Sequence, residues 1–228
     1  MTQRGLEQIP LPDGSELRLT VAAPESAVRG GIIVGQGERG VTDAVWQLAE
    51  GLVGEGWLAV IPHLYHRDGA DELPGDSDPQ QVRRQVGRLS AESLHTDIDA
   101  ALCWLARRGV GADRIGVVGS GLGGAVALIA ATQRDLGAAV TVGGIGVVQP
   151  VAAALPTLAE VAPHLRCPWL GIYGPDSGVP DPEVLKLRDA AHSARVATDL
   201  VHYCAGTDRP AAEETWARTL NWFDSHLR

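Results

Sequence analysis

Seven short apolar runs punctuate this chain, at residues 17–23, 30–36, 57–61, 115–118, 138–142, 168–173 and 197–203. Each is rich in aliphatic or aromatic residues, and most are bounded by glycine or proline, the pattern of strands buried in a sheet. Between them, apolar positions recur at helical spacing. Val45, Leu48, Leu52 and Val53 fall on one face after an N-cap position at Thr42. Leu94, Ile98, Leu102 and Leu105 do the same after Ser90. Further helices are predicted in the Ala-rich stretch after Gly124, over 182–194 and over 211–226. Strands separated by helices require right-handed crossovers. The predicted architecture is therefore α/β: a mainly parallel sheet with helices on both faces, in a single domain spanning 1–228. The long polar segment 63–89 is read as a loop with a functional role.

In such sheets the site forms at the C-terminal ends of the strands. That rule selects the loops 36–40, 62–68, 119–124, 174–180 and 204–210. The glycine-rich turn Gly119-Ser120-Gly121-Leu122-Gly123-Gly124 admits two readings. As a dinucleotide loop it matches G-x-G-x-x-G, but the acidic residue required at the end of the next strand is missing from 138–149. As a nucleophile elbow it needs small residues two before and two after the apex, where backbones cross too closely for a Cβ. Gly119 and Gly123 meet that need around position 121, so the apex is Gly121. Ser120, flanked by Val118 and Leu122, is expected to point away from the apex position.

Composition narrows the function classes. With 19 basic against 28 acidic residues, a nucleic-acid or anionic-membrane surface is not expected. No apolar stretch reaches the ~18 residues of a membrane span, and the polar first residues predict no secretory signal. Cys103, Cys167 and Cys204 are widely spaced, which suits a reducing cytoplasm. Cys103 and Cys167 are read as packing residues. His63 and His66 stand three apart without the further ligands of a zinc site, and are read as loop residues near a pocket. No metal or cofactor is implied.

Five stretches, in order and register, carry a resemblance. They are GGIIVGQGERGVTD (30–43), GEGWLAVIPHLYHR (54–67), RIGVVGSGLGGAVAL (114–128), CPWLGIYGPDSGVP (167–180) and VHYCAGTDRP (201–210). From about Arg29 to the C-terminus the chain resembles the dienelactone hydrolase family of α/β-hydrolase-fold enzymes. The resemblance implies that fold and a carboxylic-ester or lactone hydrolase. It also implies a Cys or Ser at the elbow apex, where this chain has Gly121. The family's Glu follows the Gln matching Gln36; here that position is Gly37, and Glu38 stands one step later. The family's His would fall at Thr207 or Asp208. Its Asp falls near Gly174, where Asp176 and Ser177 compete. Arg67 resembles an arginine that the family uses on a substrate carboxylate.

Acyl transfer at neutral pH needs an activated nucleophile and a base, and neither stands at its matched position. Backbone N–H groups survive such losses, and Gly37 and Leu122 match the family's oxyanion-hole positions. The first expectation is therefore a small-molecule pocket built from Gly37, Glu38, Arg67, Gly121 and Leu122. It would take a carboxylate- or ester-type molecule without covalent hydrolysis, in a protein that is a monomer or homodimer. The second is an active hydrolase with a relocated nucleophile, Ser120 or Cys204, and Asp176 or Asp208 as acid or base. The third is a protein-interaction scaffold. Whether the chain is an enzyme is open between them.

Overall fold

The computed structural model describes residues 3–69, 72–203 and 212–228. Eight strands form one sheet in the order β1-β2-β4-β3-β5-β6-β7-β8. Strands β3 (Gly31–Gly35), β4 (Leu58–Pro62), β5 (Ile115–Ser120), β6 (Ala138–Val142), β7 (Trp169–Tyr173) and β8 (Thr198–His202) run parallel. A hairpin of β1 (Gln3–Pro10) and β2 (Glu16–Ala23) is added antiparallel beside β4. All seven apolar runs became strands, with ends shifted by a few residues. β3, β4 and β7 are buried at every position, because helices cover both of their faces.

Helices α1 (Asp43–Gly54) and α7 (Ala212–His226) cover one face, packing Val45, Leu52 and Phe223 against Ile32, Val34 and Val118. The other face carries α2 (Pro79–Val86), α3 (Ala91–Arg107), α4 (Leu122–Gln133), α5 (Leu158–Val161) and α6 (Asp181–Ala191). Ser90 does begin α3, through a capping box with Ser93. Thr42 holds the N-cap position of α1 without a side-chain cap bond. Helix α4 is buried from Leu122 to Thr132, which its Ala and Gly content permits by letting it lie close to the sheet.

Three features depart from the sequence expectation. β1 was not predicted: its residues 4–8 are exposed, so no buried stripe announces it. The segment 63–89 is not one loop, since it contains α2, whose N-cap Asp78 accepts a hydrogen bond from the Gln80 N–H and whose first residue is Pro79. Cys103 is exposed on α3 rather than packed, whereas Cys167 is buried and burial pushes its thiol up to about 12. None of the described helices is long and apolar enough to cross a membrane.

The order of the strands locates the site. From β3 the chain moves one way to β4, then crosses back to β5 on the other side of β3. The crevice beyond the ends of β3 and β5 is a topological switch point, where parallel sheets bind ligands.

Candidate active site

At the end of β5 the chain turns sharply into α4. Gly121 has φ 55° and ψ −118°, in the left-handed half of backbone space that L side chains rarely occupy. Its N–H donates to the Val142 carbonyl at 3.1 Å, and its carbonyl accepts from Ala125 at 3.1 Å and Ile145 at 3.3 Å. The turn is possible because three glycines meet beneath it. A Cβ on Gly35 would lie 2.6 Å from the Gly123 carbonyl oxygen. A Cβ on Gly119 would strike the backbone of Gly123, and one on Gly123 would strike that of Gly35. This is the nucleophile-elbow geometry, with Gly119 and Gly123 in the roles read from their spacing and Gly121 at the apex.

The space that an apex side chain would enter is occupied. A Cβ built on Gly121 lies 2.7 Å from Oε1 and 3.1 Å from Oε2 of Glu38. Glu38 comes from the turn after β3, and neighbouring elements hold that turn. The Leu64 N–H donates to Gln36 Oε1 at 2.8 Å, and the Tyr65 hydroxyl donates to the Glu38 carbonyl at 2.8 Å. The Leu73 N–H donates to the Arg39 carbonyl at 2.7 Å, and the Arg39 guanidinium donates to the Pro74 carbonyl at 2.7 Å. Tyr65 is buried, and that burial raises the pKa of its phenol, so the hydroxyl stays protonated as a donor.

Glu38 and Gly121 line a cleft of about 360 Å³. Ser120 lines it too: it is off the apex, as its flanks suggested, yet exposed to the same space. Val142, Gly143 and Ile145 after β6, and Ile172 on β7, supply the floor and an apolar wall. Gly174, Pro175, Asp176 and Ser177 form a turn on one side, and Thr215 of α7 closes another. The loop after β6 and Thr215 were not among the residues read from sequence. The strand-end rule reaches Gly143 once 138–142 is placed in the parallel sheet, but nothing local points to Thr215. Among the described residues no histidine lines this cleft.

Other expected site residues lie elsewhere. Leu122 turns its side chain into the core; as the first residue of α4 its N–H has no acceptor within the helix. Gly37 follows Gln36 beside the cleft without lining it. Arg67 is away from the elbow. Its guanidinium pairs with Asp97 at 3.0 Å and Asp13 at 3.0 Å, and it donates to His66 Nε2 at 2.9 Å. Burial alone would lower the arginine's pKa, but the bonds to Asp97 and Asp13 outweigh it. His66 and Asp97 are both buried, and His63 is buried against the Thr20 hydroxyl at 2.7 Å. Both histidines lie in the turn after β4, as read, but neither lines the cleft, because that turn folds into the core. Cys204, Thr207 and Asp208 lie outside the described residues.

A mainly parallel sheet with helices on both faces, a switch-point cleft and a strand–elbow–helix turn define the α/β-hydrolase fold. The model of the dienelactone hydrolase family matches residues 17–227. The chain belongs to that family. Among curated relatives, the "Putative carboxymethylenebutenolidase" of Salmonella typhi is 29% identical over 205 residues, covering 84% of this chain and 76% of that protein. The "Carboxymethylenebutenolidase" of Pseudomonas putida is 30% identical over 141 residues, 59% of this chain and 58% of that protein. Among solved structures, a "Putative Dienelactone Hydrolase" from Klebsiella pneumoniae superposes with a TM-score of 0.87 at 26% identity, covering 99% of this chain and 100% of that one. The dienelactone hydrolase of Anabaena variabilis shares the fold, with a TM-score of 0.71 at 20% identity over 100% and 99% of the two chains.

Proposed function

We propose that the elbow cleft binds a small neutral ester or lactone and that the protein forms no acyl-enzyme at the apex. The observation that carries this reading is the pairing of an intact elbow backbone with a side-chain-free Gly121, whose Cβ space is filled by the Glu38 carboxylate. The relatives named carboxymethylenebutenolidase or dienelactone hydrolase act, by those names, on lactones, and the apolar wall of Val142, Ile145 and Ile172 suits such a ring. A neutral compound is favoured over a carboxylate. Arg67 is engaged with Asp97 and Asp13 outside the cleft, while Glu38 and Asp176 bring carboxylates into it. The N-terminal partial charge of α4 and the Leu122 N–H are the groups that would receive the carbonyl oxygen.

Titration with δ-valerolactone, followed by amide chemical shifts, should move the Gly121 and Leu122 signals. Fluorophosphonate and iodoacetamide should leave residues 120–122 unmodified. The exposure of Ser120 in the cleft favours a second reading, a hydrolase with Ser120 as nucleophile. Stoichiometric fluorophosphonate labelling that disappears in Ser120→Ala would install that reading in place of the first.

A further inference from the structure

We propose that Glu38 is a general base: it takes a proton from a water molecule that attacks the carbonyl of an ester or lactone seated over Gly121. This rests on the reading of the cleft given above and adds a reaction to it. A carboxylate oxygen stands 2.7 Å from the point where an apex side chain would begin. It is therefore where the fold directs attack on a bound carbonyl, although it belongs to a different strand end. The turn that carries it is held by the Tyr65 hydroxyl at 2.8 Å on its own carbonyl and by Leu64 on Gln36 at 2.8 Å. These bonds fix the backbone from which the carboxylate reaches the apex, which limits the positions it can take. The start of α4 lies one residue beyond the apex, where negative charge on the carbonyl oxygen would be stabilised.

The chemistry closes without a further group. The water oxygen bonds to the carbonyl carbon as its proton passes to Glu38, and the carbonyl π electrons move onto oxygen. The tetrahedral species then collapses, the C=O bond reforms, the C–O bond to the leaving oxygen breaks, and Glu38 returns its proton to that oxygen. The products are a carboxylic acid and an alcohol, or one hydroxy acid from a lactone. Direct attack by Glu38 would instead give a mixed anhydride, whose breakdown needs a second base. The one-base route needs only the Glu38 carboxylate already at the apex.

The test compares wild type, Glu38→Gln and Glu38→Asp with 4-nitrophenyl acetate. Wild type should turn over without a burst, and Glu38→Gln should lose kcat by about 100-fold or more with KM little changed. Glu38→Asp, which keeps the carboxylate but shortens its reach, should fall between them. In H₂¹⁸O, acetate should carry one heavy oxygen and the Glu38 peptide none. Equal rates in wild type and Glu38→Gln, or label in Glu38, would overturn the proposal. The δ-valerolactone titration separates the two levels: amide shifts retained in wild type without Glu38-dependent turnover sink only the base, whereas no shifts sink the cleft reading itself.

Discussion

Gly121 and Glu38 show how one substitution changes the part a neighbour can play. The resemblance implies a reactive side chain at this apex with an acidic residue beside it. Glycine at 121 adopts the positive φ without strain, and the Glu38 carboxylate fills the space a side chain would take. By the resemblance, Glu38 stands one position after the place of the family's Glu. The turn after Gln36 brings the Glu38 carboxylate to the apex. A second residue-scale effect concerns His95 on α3. Burial first, and Arg134 second, lower its pKa, because both disfavour the imidazolium. A depressed histidine pKa means the folded state prefers the neutral ring. The associated stability is complete above the unfolded value of about 6.5 and is lost as pH falls below it. Melting temperatures measured from pH 8 to pH 5 should fall, and His95→Gln should flatten that decline.

At the scale of elements, the close approach of β3, β5 and the first turn of α4 decides where the cleft lies. Gly35, Gly119 and Gly123 touch backbone to backbone, so no side chain can be placed among them without moving a strand or the helix. Gly123→Ala should cost about 3 kcal/mol, read as a shift in the urea midpoint. It should also weaken δ-valerolactone binding by tilting the start of α4. The spacing of Gly119 and Gly123 makes the elbow legible in the sequence, whereas the part of Gly35 is seen only in the fold. β1 was not legible, because pattern reading depends on burial and its residues 4–8 face solvent. It is held by backbone pairing to β2, with Leu6 opposite Thr20. Helix α2 was missed for a related reason: Val82 and Val86 are its only apolar residues, too few to show a stripe, although Asp78-Pro79 is a helix-start signal.

Across the whole molecule, a partly buried charge cluster joins parts that are distant in sequence. Asp97 of α3 meets His66 at 3.2 Å and Arg67 at 3.0 Å from the turn after β4, and Arg67 reaches Asp13 of the β1–β2 hairpin. Asp97 and the His66 ring are 1% exposed, whereas Arg67 is 26% exposed and keeps Asp13, so removing Asp97 leaves the buried His66 ring without its carboxylate. Asp97→Ala should therefore cost about 2 kcal/mol in chemical denaturation. Retained lactone shifts at Gly121 in the folded variant would confirm that this cluster ties the fold together and stands apart from the cleft. Arg67 was assigned to a ligand from its place in the LYHR stretch. Its actual partners are an aspartate 30 positions later and another 54 positions earlier, a pairing that no local pattern contains.

By itself, the sequence determined the layered α/β order, the elbow and the identity of its apex, because strand burial, helix periodicity and the demand for glycine at crossing backbones are local or nearly local constraints. It also determined that residue 121 carries no reactive atom. Only the tertiary structure decided what stands in that atom's place and which charges share the cleft. Those outcomes depend on how the turns after β3, β4 and β7 converge, and the convergence is set by the order of strands across the sheet rather than by any one segment.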